Sequence, residues 1–264
     1  MSENNWADRD PPTILHCFAD YGVESEFLSE LGDVYRVGID AHDTNRSTPI
    51  RADAHVTAEG KDWHFPVQDD VEFDLGVFHP VCSKWASTTS ISGDADDHEN
   101  MIPSARRIAE DHCRHHVIEN VPRAPLNDPV VLNGRMFGLP IEFERAFETS
   151  FRVPQPPRQG LYLTSEGETD TTETSSFYFT ERSRLWWSRV KGCDGWRYPK
   201  QHIAKNTIPR VYLDYVLRSW IQVHEEEIGI DDGRVDYSDY DERNELARRR
   251  AQNYDLSEFD DSSN

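Results

Sequence analysis

Lysine is nearly missing from this chain: Lys61, Lys84, Lys191, Lys200 and Lys205 are the only five among 264 residues. With 28 Lys and Arg against 49 Asp and Glu, the formal net charge is −21. Such a surface repels polyanions in ordinary buffer. It also suits molar salt, where repulsion is screened beyond about 3 Å, and the charge reads as halophilic adaptation; a protein that simply avoids polyanions is the alternative. Long apolar runs are missing too. No stretch approaches the ~18 residues of a membrane span. The opening "MSENNWADRDPP" lacks the basic-then-apolar order of a signal peptide, so a cytoplasmic location is expected. The four cysteines, Cys17, Cys82, Cys113 and Cys193, form no CxxC pair, which argues against a zinc ribbon and a disulfide framework. "DHCRHH" (Asp111 to His116) offers ligand types but reads as a solvated helix end running into a strand. No metal is expected.

What is present is an alternation of strands and helices. "TILHCF" is a short apolar run, "VESEFLSEL" carries Val23, Phe27, Leu28 and Leu31 at helical spacing, and "VYRVGID" is a second strand ending in Asp40. "IRADAHV" brings Asp53 to a third strand end. The pattern repeats with the strand "VEFDLGVFH", a helix in "NMIPSARRIAEDHCR" and the strand "HHVIENV". This order predicts an α/β fold with a doubly wound, mostly parallel sheet. Ligands of such sheets bind at the carboxyl ends of the strands, where Asp20, Asp40, Asp53, Cys82 and Glu119 are expected.

Beyond residue 157 the alternation stops. "TSEGETDTTETSS" (Thr164 to Ser176) is an acidic low-complexity segment. It is followed by Arg182, Arg184, Trp186, Trp187, Arg189, Lys191, Trp196 and Arg197, with Tyr198 and Lys200 close behind. Arginine interleaved with aromatics suits phosphates and unstacked bases, and these eight residues are the candidate nucleic-acid contacts. The alternative is a small hydrophobic subdomain whose arginines pair with the acidic surface. "IPRVYLDYVLRSWIQV" reads as an amphipathic helix opened by Pro209. The expected division is a polar segment at 1–11, an α/β domain at 12–157 and 201–223, a small polar-aromatic region at 158–200 and an acidic tail at 224–264. One further helix is expected in that tail, near Asp241 to Ala251.

Cys82 and Glu119 together suggest a chemistry. Carbon 5 of cytosine is weakly nucleophilic, and a thiolate adding to carbon 6 activates it. A carboxyl group must then hold the ring nitrogen and exocyclic amine, and the base must leave the stack to be reached. "HPVCS" (His79 to Ser83), "IENVPRAPLNDPVVLNGRMFGL" (Ile118 to Leu139), "FERAFET" (Phe143 to Thr149) and "KNTIPRVYLDYV" (Lys205 to Val216) stand in this order. In these motifs and their order the chain, over residues 13 to 220, resembles the DNA cytosine-5 methyltransferases, most closely their short phage- and virus-type members.

The resemblance implies an S-adenosylmethionine-dependent, Rossmann-like methyltransferase fold with a small target-recognition insert. It implies Cys82 as nucleophile, Glu119 as base-binding acid and Arg145 as an assisting group. For the cofactor it implies Asp40 at the ribose hydroxyls, Asp53 at the adenine, and Phe18, Ala19, Asp20 and Gly22 along the methionine part, with Pro80 and Asn206 near it. Its partner would be double-stranded DNA with one base flipped out, bound by a monomer, in restriction-modification or in protection of a viral genome. The chain departs from the family where Asp20 and Val23 replace glycines of the first loop, where Val81 replaces the second proline, and where Ser83 replaces a glutamine. Two alternatives stay open: a DNA-binding relative that no longer holds the cofactor, and an RNA substrate.

Overall fold

The computed structural model describes residues 10–43, 45–55, 71–86, 94–157, 180 and 182–228. The expected acidic segment at 164–176, the helix near 241–251, and most of the two terminal segments lie outside these residues. The chain forms two compact units, one of residues 1–129 and 146–152, the other of residues 130–145 and 153–264.

The first unit holds β1 (Thr13–Cys17), α1 (Val23–Leu28), β2 (Asp33–Gly38), β3 (Thr48–Arg51), β4 (Phe73–Phe78), α2 (Ile102–His112) and β5 (Cys113–Asn120). The second contains β6 (Val130–Leu132), and β7 (Arg145–Thr149) returns the chain to the first. In the first unit the strands lie in the order β3-β2-β1-β4-β5-β7. Every pair is parallel except β5 with β7. This is the doubly wound, mostly parallel, Rossmann-like sheet expected from the alternation.

The sequence reasons are local. A parallel strand covered on both faces reads as a continuous apolar run, and in β4 only Asp74 of "FDLGVF" is not buried. Asp74 is used at the strand start, where its carboxylate accepts from the Thr13 amide and hydroxyl. α2 opens with Asn100 Oδ1 accepting the Ile102 amide and with Pro103 in its first turn. Its buried face of Ile102, Ala105, Ile108 and Ala109 packs on the strands. Strand β5 begins at Cys113, directly after His112, so "DHCRHH" is a helix end running into a strand as anticipated, but His112 and His115 are buried rather than solvated. At the far edge, Arg106 of α2 makes a bidentate bond to Glu148 of β7, at 2.8 and 2.7 Å.

The second unit differs from the expected division. Besides β6 it contains α3 (Arg184–Lys191), α4 (Lys200–Lys205) and α5 (Arg210–Glu227). The segments 130–145, 153–157 and 201–223, expected in one domain with residues 12–129, fall in this unit, where α5 packs on the first two. The Tyr212 hydroxyl donates to Phe143 O, the Tyr215 hydroxyl to Pro154 O, and Phe137 packs on both tyrosines. Among the described residues no helix is long and apolar enough to cross a membrane.

Candidate active site

The five parallel strands point their carboxyl ends to one edge of the sheet. Asp20 follows β1, Asp40 follows β2, Asp53 follows β3, Cys82 follows β4, and Glu119 is the penultimate residue of β5. All five expected residues therefore lie along this edge of the first unit.

The first loop is held in a way the sequence hides. Phe18 sits at φ 60°, the left-handed region that a bulky residue enters at a cost of roughly 1–2 kcal/mol. Gly22 has φ 61°, and a Cβ there would run into the Arg36 side chain. Arg36, from the middle of β2, is fully buried. Its guanidinium donates to Ala19 O at 2.9 Å, Asp20 O at 2.5 Å, Ser47 Oγ at 3.0 Å and His42 O. One side chain thus holds the backbone of the loops after β1 and β2. Asp20 Oδ1 accepts the Asp40 amide at 3.0 Å, which joins the ends of those strands directly. Gly38 is required there, because a Cβ would come within 2.5 Å of Asp20 Oδ1. So Asp20 acts as a brace between loops, and the carboxylate of Asp40 stays exposed at the strand end. Asp53 Oδ1 accepts the His55 amide at 2.8 Å in a tight turn.

These features fit the nucleoside end of S-adenosylmethionine. The loop from Phe18 to Gly22 keeps the left-handed residue at Gly22 that close backbone approach requires. Exposed carboxylates end the two neighbouring strands β2 and β3.

Cys82 and Glu119 are held by bonds between the ends of β4 and β5. Their parallel register sets Phe78 beside Ile118, so the next residues are His79 and Glu119. His79 Nδ1 lies 3.0 Å from Glu119 Oε2. Asn120 Nδ2 donates to Pro80 O at 2.8 Å and is 1% exposed. The Cys82 carbonyl then accepts from the amides of Trp85 and Ala86, both at 2.9 Å, which turns the chain at the cysteine. Cys17 is buried and its thiol is pushed well up, first by burial and then by Cys113. Cys113 is raised as well, by burial and then by the Glu72 charge. Cys82 and Cys193 are half-buried, and only Cys82 follows a strand end of this edge.

Arg145 and Asn206 belong to the second unit, and there they are neighbours. Arg145 Nη2 donates to Lys205 O at 3.3 Å, and its guanidinium lies 3.9 Å from the centroid of the Phe143 ring. Asn206 Nδ2 is 3.3 Å from His202 Nδ1 and is exposed.

The candidate nucleic-acid stretch requires a correction. Its middle is α3, capped by Ser183 Oγ on the Trp186 amide. The apolar face of that helix is buried: Trp187 and Lys191 are 0% exposed and Trp186 is 5% exposed. Lys191 Nζ donates to Thr207 O at 2.8 Å and lies over the Phe143 ring. These three residues are core, because two large indoles at adjacent helical positions bury more area than a small unit can leave uncovered. Arg184, Trp196 and Arg197 are exposed, while Arg182 and Arg189 are half-buried. Trp196 is 81% exposed, and Arg197 pairs with Asp194 at 3.1 Å.

Reading the sequence missed three supports of the site: Arg36, His79 and Asn120. Asn120 and His79 stand inside quoted motifs, each bonded to a residue of the other motif. Arg36 gives no signal, since one arginine in a strand normally points to solvent.

No family model matches the chain, and no curated protein matches it. Among solved structures it is similar to the Entamoeba histolytica methyltransferase EhMeth, with a TM-score of 0.48 and 9% identity over 81% of this chain and 99% of that one. It is similar to the S. pombe Dnmt2 methyltransferase, with a TM-score of 0.48 and 11% identity over 83% of this chain and 99% of that one. The plantazolicin methyltransferase BpumL in complex with SAH aligns with a TM-score of 0.27 and 15% identity, over 49% of this chain and 42% of that one.

Proposed function

We propose that this chain transfers a methyl group from S-adenosylmethionine to carbon 5 of cytosine in DNA. The observation that carries the proposal is the pair of bonds just ahead of Cys82, from His79 to Glu119 and from Asn120 to Pro80. They fix one half-buried thiol and one buried carboxyl at the ends of adjacent strands, which is what addition to a cytosine ring requires.

In this mechanism the Cys82 sulfur forms a bond to carbon 6, and the electron pair of the 5,6 double bond moves to carbon 5. Glu119 holds the ring nitrogen and exocyclic amine, and so stabilises the adduct. The cofactor supplies an electrophilic methyl group. Once carbon 5 carries it, a base takes the carbon 5 proton, the 5,6 double bond reforms and the thiolate leaves. Asp40 would hold the ribose hydroxyls and Asp53 the adenine, and the loop from Phe18 to Gly22 would pass beside the methionine part. The roles of Pro80, Arg145 and Asn206 rest on the resemblance of the motifs. Trp196, Arg184 and Arg197 are the exposed residues left to meet DNA in the expected recognition region.

A fluorine at carbon 5 cannot leave as a proton does, so DNA carrying 5-fluorocytosine tests the adduct. With S-adenosylmethionine present, wild-type protein is expected to form a DNA adduct that survives denaturation, and Cys82→Ala none. An adduct formed equally by the variant would overturn the proposal. Trapping only with 5-fluorocytosine RNA would retain the chemistry and replace the substrate.

A further inference from the structure

We propose that His16, Glu24 and His79 form a binding site for one divalent transition-metal ion of the zinc class. This goes beyond the methyl-transfer reading and does not depend on it. The three residues come from the end of β1, the first turn of α1 and the turn after β4. They are far apart in sequence, which is why the cysteine and "DHCRHH" patterns gave no hint of them. Each offers one ligand atom, and these atoms lie within 4.8 Å of one another. Glu24 is 6% exposed and His16 0%.

The second observation is His16 itself. Its Nδ1 is 2.6 Å from Ser25 Oγ, while its Nε2 is buried with no hydrogen-bond partner. A buried polar atom left so is destabilising, and a metal ion would satisfy it.

The surrounding bonds follow the pattern of a metal centre. A ligating histidine normally gives its other nitrogen to a carboxylate, hydroxyl or carbonyl, which fixes the tautomer. His79 Nδ1 is taken by Glu119 and His16 Nδ1 by Ser25, which leaves the two Nε2 atoms as the ring nitrogens available to a metal. The two rings meet edge to face with centroids 5.0 Å apart. Two imidazoles and one carboxylate suit zinc, cobalt or iron(II) rather than calcium or magnesium, whose ligands are oxygens. Such a set leaves a position open to water. A metal on His79 Nε2 would leave the ring proton on Nδ1, so that Glu119 Oε2 accepts the hydrogen bond there.

The test is cobalt(II) binding to full-length protein stripped with chelator, in molar potassium chloride to screen the acidic surface. Visible absorption reads the coordination, and competition with zinc chloride reads the affinity. One equivalent with a four- or five-coordinate spectrum is expected. Glu24→Gln and His79→Gln should each lose more than about 100-fold in affinity, above the usual effect of an outer partner. Ser25→Ala, a mild change, should cost about 10-fold through the released His16 ring. Circular dichroism checks that each variant folds. Absence of stoichiometric binding by wild type, or unchanged affinity in folded Glu24→Gln and His79→Gln, overturns the site. Since the readout is metal binding alone, failure of methyl transfer leaves this result interpretable.

Discussion

Cys82 differs from Cys17 and Cys113 in its surroundings. The latter two are held protonated, mainly by burial, whereas Cys82 lies half-buried at a turn whose neighbours are tied to β5. Glu119 is the complementary case, a carboxyl 6% exposed with a histidine at 3.0 Å. If it holds the base in the adduct, Glu119→Gln should lower kcat by about 10²- to 10⁴-fold and leave the melting temperature nearly unchanged. Single-turnover methyl transfer measures this, and an unchanged rate would remove Glu119 from the chemistry. The placing of both residues at strand ends was legible in the alternation of strands and helices, while the roles proposed for them rest on the resemblance of the motifs. Their supports were not legible. Asn120 and His79 act through contacts between strand ends, and a single sequence does not show which strands are adjacent.

At the scale of elements, Arg36 fixes the first two loops of the sheet edge. One buried guanidinium holds four acceptors on the loops after β1 and β2. Arg36→Lys keeps the charge but cannot reproduce the fork. We expect it to cost at least about 3 kcal/mol of stability, read by urea unfolding, and to weaken S-adenosylmethionine binding, read by calorimetry. Wild-type values for both would mean that the loops hold themselves. The parallel strands and α2 were readable from periodicity, since apolar runs and an amphipathic face leave a period in the chain. The helix α3 was misread for a related reason. Its arginines and tryptophans look like a nucleic-acid contact in linear order, yet the 3.6-residue period turns Trp186, Trp187, Val190 and Lys191 to a buried face. The exposed indole of this region is Trp196. Trp196→Ala is therefore expected to weaken DNA binding in molar salt more than Arg184→Ala, because stacking survives screening and phosphate contacts do not. Fluorescence anisotropy at high and low salt checks the ranking, and the reverse order would remove Trp196 from the interface.

For the whole molecule, acid stability follows from buried groups. Burial acts to raise the Glu148 pKa, but hydrogen bonds from Arg106 and the Asn127 amide outweigh it, with the Arg106 charge, and hold it below the usual range. Burial lowers His16, and it lowers His116 against nearby carboxylates. All three folded pKa values are depressed, so their contributions are present above the unfolded values and are lost as pH falls. Stability in molar salt should decline from about pH 6.5 as the unfolded histidines take up protons, and again below about pH 4.3 through Glu148. His16→Gln should flatten the first decline, as urea midpoints across pH will show; an unchanged slope would mean that His16 is charged in the folded protein. The measurement that bears most directly on the proposed activity is methyl transfer from radiolabelled S-adenosylmethionine to unmodified DNA in molar potassium chloride, wild type beside Cys82→Ala, with the labelled base identified by chromatography. The structure leads us to expect label in 5-methylcytosine from wild type and none from the variant; label in another base, or equal label from both proteins, would contradict the assignment of Cys82 as the nucleophile.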